Sequence, residues 1–295
     1  MNNKKPIGII SDSTCDLPEE MIEKYGIGIV PVSVFWPEIE KIPGSNFFQK
    51  MRELEKSGDK SFAKTSQPSP QAFVQAFKKG LENFENLICL TITSKHSGTY
   101  NSGCQAKRFM GEEGKNIFVI DSLHGTASLG LIVLKATELL QRSKPLQDIL
   151  KEIENYTHKV HLYALLGDPK RLEYSGRISP VLASWIRKGQ KIGLRPLIGI
   201  KEGKISAIGI KAGVKDVSGA LFSELENKTK EYRKNGKKIR VAICHCDNLE
   251  KAESLKKMIE KYFENTDILF VNQVDDILGS ILGQDTLVLA WAAEE

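Results

Sequence analysis

No apolar run in this chain approaches the roughly 20 residues that a helix needs to cross a bilayer, which argues against a membrane-spanning helix and stable membrane insertion. Charge of one sign is not concentrated either. The 42 Lys and Arg against 37 Asp and Glu leave a formal charge of +5, and the bases alternate with acids, as in KKMIEKYFE (256–264). A nucleic-acid surface gathers its cations into a stripe, so no nucleic acid is expected as a partner. Cysteine is sparse and odd in number: Cys15, Cys89, Cys104, Cys244 and Cys246 do not form a disulfide framework. Cys244 and Cys246 flank His245 with one intervening residue, and no second pair completes a zinc site, so no metal is expected. Three glycine signatures are missing as well. There is no Gly-x-Gly-x-x-Gly after the first strand, no Gly-x4-Gly-Lys-Ser/Thr and no Gly-x-Ser-x-Gly elbow. Their absence leaves dinucleotide, P-loop and elbow-hydrolase readings without support, and no cofactor is expected. The N-terminal MNNKKPIGIISDST has an apolar run too short for a signal peptide, which favours a cytoplasmic protein.

What is present is ordinary globular material, long enough for two domains. In the first half, apolar strand-like runs alternate with helical patterns. Strands are expected at 6–11, 27–35, 87–93 and 116–121, and helices at 16–25, 45–58, 69–84, 97–110 and 128–142. Asp16 with Glu19 has the spacing of a capping box. Ser69 before Pro70 is an N-cap and N1 pair. Pro31 favours an edge or bend in the second strand. This order predicts an α/β/α sandwich with a mostly parallel sheet. The second half changes character. A strand ends the 153–166 segment, a hairpin turns at Glu202-Gly203 within 191–210, a long helix covers 217–236, and strands at 239–246, 267–271 and 286–292 are interrupted by a helix at 250–263. That mixture predicts a mixed α+β domain. The fold class is therefore α/β in two domains, 1–155 and 156–295.

The chemistry-bearing residues are short polar clusters that mostly follow strands: Ser11-Asp12-Ser13-Thr14, Thr65-Ser66-Gln67-Pro68-Ser69, Thr93 to Thr99, and Asp121-Ser122. In open α/β sheets ligands bind at the carboxyl ends of strands. Hydroxyls and unpaired N–H groups at a helix start suit an anion, and Ser97-Gly98 ahead of the 97–110 helix is the best such nest. Asp12 reads as a brace for its loop. A serine nucleophile at Ser97 or Ser13 would need a base. His96 and His124 lie nearest in sequence, so a serine-dependent hydrolase or transferase stays open as an alternative, as does a binder of another small anionic ligand. Arg171 and Arg177 lie in a short basic segment that could meet an anion or a partner, or be a plain solvated turn.

Taken in order, these clusters resemble the DegV family of fatty-acid-binding proteins. The resemblance rests on Ser11-Asp12-Ser13-Thr14-Cys15-Asp16-Leu17, Thr65-Ser66-Gln67-Pro68-Ser69-Pro70, Ser97-Gly98-Thr99-Tyr100-Asn101-Ser102, Val119-Ile120-Asp121-Ser122, Arg171-Leu172 with Gly176-Arg177-Ile178, and Arg195-Pro196-Leu197-Ile198. It implies two α/β domains with a lipid tunnel between them. It implies that the protein is not an enzyme by itself and that its ligand is a long-chain, palmitate-like fatty acid. Thr65, Ser97 and the Gly98 backbone would hold the carboxylate, with Ser13 and Ser122 lining or supporting the head-group region. It also implies a partner, a fatty acid kinase subunit to which the lipid is presented. The second half departs from the family pattern: Ile281 stands where a histidine is expected, Tyr174-Ser175-Gly176 replaces Lys-Gly-Gly, and Ala212 replaces an arginine. Those substitutions bear on the kinase more than on the lipid.

Overall fold

The apolar runs become strands and the amphipathic stretches become helices in a computed structural model that describes residues 4–294 other than 143, 168, 192–193 and 213–215, and not the side chains at 187, 190, 191 and 212. The chain opens with β1 (Lys5–Asp12), a 3-10 turn at Ser13–Cys15, α1 (Glu19–Tyr25), β2 (Gly28–Val30), β3 (Ser33–Phe35), α2 (Pro37–Glu40), α3 (Phe47–Lys56) and β4 (Lys64–Ser66). It continues through α4 (Pro70–Asn83), β5 (Phe84–Thr91), α5 (Thr99–Phe109), β6 (Ile117–Asp121), α6 (Thr126–Leu140), α7 (Leu146–Thr157), β7 (His161–Leu165), α8 (Pro169–Tyr174) and α9 (Pro180–Lys191). The hairpin β8 (Leu194–Lys201) and β9 (Lys204–Ala212) follows, then α10 (Val217–Lys234), β10 (Ile239–His245), α11 (Leu249–Tyr262), β11 (Thr266–Gln273), α12 (Asp276–Leu282) and β12 (Leu287–Ala293).

Two compact units result. The first comprises residues 1–33, 67–160 and 202–204, and the second 34–66, 161–201 and 205–295. Residues 34–66 precede the boundary expected near 155 yet belong with the second unit, and the 202–204 hairpin tip belongs with the first.

The first unit is built on a four-stranded sheet in the order β2-β1-β5-β6, all parallel. Ile10, Leu87, Cys89 and Ile117 point to one face and pack on Phe73, Val74 and Phe77 of α4 and Ala106 of α5. Ile9, Ile88 and Leu90, one residue out of phase, are also buried, and α6 covers the opposite face. Burial of both faces explains why β1 and β5 read as continuous apolar runs rather than alternating ones. This is the expected sandwich.

The second unit holds a six-stranded mixed sheet, β11-β10-β12-β7-β8-β9. β10 and β11 are parallel, while β10–β12, β12–β7 and β7–β8 are antiparallel. α10 and α11 bury Leu221, Leu225, Leu255 and Ile259 against Val241, Ile243, Leu287 and Leu289. The β8–β9 turn falls at Glu202-Gly203 as expected, with φ of 50° and 79°, the left-handed pair that a two-residue hairpin favours. A separate two-stranded sheet pairs β3 with β4.

Two local expectations change. The single strand expected over 27–35 is two strands in different sheets, β2 and β3, divided at Pro31-Val32. Proline has no N–H to continue the ladder. Asp16 does not cap a helix beginning there. It sits at φ 49° and closes the 3-10 turn through its N–H to Ser13 O. α1 starts only at Glu19, with Pro18 as N-cap, because the residue before a proline is pushed out of helical φ/ψ.

Candidate anion-binding site

The carboxyl ends of β1, β5 and β6 are neighbours in one parallel sheet, so the polar clusters that follow them share one end of the first unit. Asp12 ties two of these ends together. One carboxylate oxygen accepts from Thr14 N at 3.0 Å and from the Thr14 hydroxyl, and the other accepts from Ile92 N at 2.7 Å. Burial raises the Asp12 pKa, opposed by those hydrogen bonds. The bracing role expected for Asp12 is thus what it performs. Asp121 does the same between β5 and β6, accepting from Ser94 N and Leu123 N, each at 3.1 Å. Thr93 donates to Gly203 O at 2.9 Å.

On this braced floor the first-half candidates occupy different situations. Ser13 Oγ accepts from Val32 N at 3.1 Å and fixes the loop leaving β2. Ser122 is fully buried, its hydroxyl donating to His124 O and accepting from His124 N. It supports the loop after β6. Ser97 and Gly98 stand at the start of α5, where Gly98 is the N-cap residue. Ser97 Oγ lies 2.7 Å from Thr99 Oγ1 and accepts from Thr99 N at 3.3 Å. A side chain at position 98 would put its Cβ 1.8 Å from Gln67 Oε1. Gly98 thus leaves room for the Gln67 amide in this position, where it donates to Ser102 Oγ at 3.1 Å. Gln67 and Thr99 have no role that their spacing indicates. Both lie inside the polar clusters at 65–69 and 93–99, and only the fold shows what they touch.

Thr65 lies on β4 in the second unit. Its hydroxyl accepts from Arg177 Nη2 at 2.6 Å. Arg177 is partly buried, and desolvation pulls its pKa below the ordinary arginine value. Its Nη1 donates to Ser175 O at 3.4 Å and its backbone N to Ser175 Oγ at 3.3 Å. Arg171, the second arginine of the basic segment, is 4% exposed. It pairs with Glu55 and lies over the Trp36 ring, 5.2 Å from its centroid. The segment is thus not a solvated turn. α8 turns Arg171 inward, and any partner would have to compete with Glu55 for it. Ile281 is buried on α12, and the side chain of Ala212 lies outside the described residues.

The histidine nearest the β6 end, His124, places Nε2 3.1 Å from Thr157 O and is buried. The local chemistry of Ser97 and Thr65 is that of hydroxyl groups whose oxygens accept hydrogen bonds from within the fold. Thr65 keeps its proton to donate outward, and Ser97 does so when Thr99 is the donor of their shared hydrogen bond.

The profile of the DegV family, described as uncharacterised proteins, matches residues 6–294. The chain belongs to the DegV family. A DegV domain-containing protein of Clostridium perfringens is 31% identical over 267 residues, 90% of each chain. A Thermotoga maritima protein named fatty acid-binding protein is 28% identical over 293 residues, covering 95% of this chain and 96% of its own. Among solved structures, a DegV family protein from Thermus thermophilus described by its fatty acid binding is similar at TM-score 0.82 and 25% identity, covering 98% of this chain and 100% of that one. A stearic acid-binding protein from Eubacterium ventriosum shares the DegV fold at TM-score 0.83 and 23% identity, over 97% and 98% of the two chains.

Proposed function

We propose that this protein binds a long-chain, palmitate-like fatty acid, with the carboxylate held by Thr65 Oγ1, Ser97 Oγ and the Gly98 N–H and the acyl chain enclosed in an apolar tunnel. The observation that carries the reading is the hydrogen-bond polarity of the two hydroxyls. Thr65 accepts from Arg177, and Ser97 accepts from Thr99 N. Either hydroxyl can donate in the 2.7 Å Ser97–Thr99 pair; when Thr99 donates, both protons are free for an acceptor-only carboxylate. Ser13 and Ser122 hold the loops that present the site. The binding of fatty acids by the Thermotoga and Thermus relatives supports the same reading. Each buried methylene adds about 0.8 kcal/mol, so the chain supplies most of the affinity and the donors fix one end.

Binding of this kind needs no general base, and we propose that the protein binds without reacting. Acyl esters incubated with it stay intact. Turnover that vanishes in Ser97→Ala would establish the hydrolase or transferase reading instead. Presentation to a fatty acid kinase subunit is the remaining part of the proposal. Ile281 cannot donate a hydrogen bond and Ala212 carries no charge, so slow acyl phosphate formation is expected with kinase and ATP. Efficient formation would show that neither position matters to the transfer.

The clamp is tested by calorimetry on delipidated protein. Thr65→Val and Ser97→Ala each remove one donor and are expected to cost about 1–3 kcal/mol of fatty acid affinity, softened where water replaces the hydroxyl. Affinity for a matched long-chain alcohol should change little. A double variant that binds the acid as tightly as the parent, with an unchanged circular dichroism spectrum, would remove Thr65 and Ser97 from the site.

A further inference from the structure

Every sheet edge is an open row of N–H and C=O groups, and folded proteins ordinarily blunt such edges with short strands, proline, lysine or bulges. Three of the four edges of the two larger sheets here are blunted. β2 is three residues long and is followed by Pro31. β9 begins at Lys204 and carries Lys211. β11 carries a bulge at Leu269, where Val241 pairs with Ile268 and Ala242 with Phe270. The fourth edge, β6, has the sequence IFVID with an uninterrupted register against β5 and none of these devices. Ser122 N bonds to Thr91 O on the β5 side. Strand alternation therefore turns the peptide groups of Val119 and Asp121 outward.

A groove of about 500 Å³ runs along this edge, with α5 on one flank and α7 on the other. Thr157, at the end of α7, lines it. That side chain is 4% exposed, so it forms part of the groove floor rather than a contact for what lies in it. The charges are sorted along the groove. Lys107 lies over Phe118 near the start of β6, 5.5 Å from the ring centroid, while Asp121 ends the strand and Glu154 lines the α7 flank.

We propose that the β6 edge is a docking site for an extended peptide segment of a partner protein. The segment adds as a fifth strand antiparallel to β6, with alternate apolar side chains against Leu150, a basic residue at its start beside Asp121, and an acidic residue at its end beside Lys107. This is strand addition, in which the main chain supplies affinity and the flanking pockets supply choice. It is independent of the lipid reading, since it uses the opposite signature: a sheet edge with no partner strand among the described residues rather than hydroxyls at strand ends.

The experiment is a nitrogen-15 NMR titration of the full chain with the pentapeptide Lys-Val-Thr-Val-Asp. Shifts confined to Ile117–Ser122, α5 and the last turns of α7 are expected, with amide exchange at Val119 and Asp121 slowed at least about tenfold at saturation. A copy of the peptide N-methylated where it faces β6 should not bind. The charge-reversed peptide Asp-Val-Thr-Val-Lys should bind about two- to fivefold more weakly, and Lys107→Glu should erase that difference. No shifts at millimolar peptide, equal binding of the N-methylated copy, or sedimentation showing that a second copy of the chain already protects these amides would each overturn the proposal.

Discussion

The two units reach their polar positions by different routes. In the first, Ser13, Ser97, Gly98 and Ser122 follow β1, β5 and β6, which are adjacent in one parallel sheet, so chain direction alone brings their loops to one end. In the second, Thr65 on β4 meets Arg177 just beyond α8, and Glu55 on α3 meets Arg171 on α8, over more than 110 residues of chain. The first arrangement follows from topology, and any sequence with that strand order would produce it. The second depends on residues 34–66 joining the distant half, and its side chains are held by pairing and burial. Local order is robust to single changes, whereas an arrangement held by long-range pairs is exposed at each member.

The largest expected effect tests that contrast directly. Arg171→Ala removes a buried guanidinium that packs on Trp36 and Phe62 and pairs with Glu55. It leaves a void and a carboxylate without its cation that water can still reach, since the Glu55 side chain is 40% exposed. Breaking a fully buried pair costs about 3–5 kcal/mol. With one partner half-solvated, about 2–4 kcal/mol is expected, read from urea unfolding. A loss below about 0.5 kcal/mol, the range of ordinary surface changes, would mean that the second unit is not held by this pair.

The same contrast sets what was legible in the sequence. The β1, β5 and β6 strands, the Ser69 cap and the Glu202-Gly203 turn are written in local patterns, and the structure has them there. The placement of 34–66 is not, because periodicity records which face of an element is apolar and not which sheet it will cover. Pro31 marked the break inside 27–35 but could not say that the halves join different sheets. Asp16 illustrates a conflict between local rules: its spacing to Glu19 suggests a capping box, and Pro18 overrides it. Of the candidate site, the residue types at strand ends were readable. The Gln67 amide above Gly98, and the inward turn of Arg171, depend on contacts that no spacing reports.

A middle-sized effect sharpens the comparison inside the first unit. Gly98→Ala drives a methyl into the space of the Gln67 amide. Backbone strain is not involved, since Gly98 sits at φ −79°. Gln67 is a flexible, exposed side chain, so it swings away and its bond to Ser102 is lost. The expected cost is that of one hydrogen bond, about 0.5–1.5 kcal/mol. Gln67→Ala should cost about the same, and the two together no more than either alone. A double-variant cycle by chemical denaturation checks this. Full additivity would show that Gly98 matters for a reason other than Gln67.

The smallest effect is expected at the start of α4. Ser69 accepts from Ala72 N at 3.2 Å, and in the second unit Asp275 does the same for α12, accepting from Leu278 N at 2.8 Å. A shorter bond to an ionised, half-buried acceptor is worth more than a longer one to an exposed hydroxyl. Pro70 at the first helical position also remains in Ser69→Ala, with its φ already set for the helix and no N–H left wanting. The helix start thus keeps one of its two local signals. Loss of a cap commonly costs about 1 kcal/mol, and Ser69→Ala is expected at the low end, about 0.5–1 kcal/mol, with Asp275→Ala above it. Urea midpoints of the two variants, compared at equal slope, decide the order. If Ser69→Ala proves the costlier, the start of α4 is not held by redundant local signals, and the contrast between the locally ordered unit and the one held by distant pairs does not extend to their helix ends.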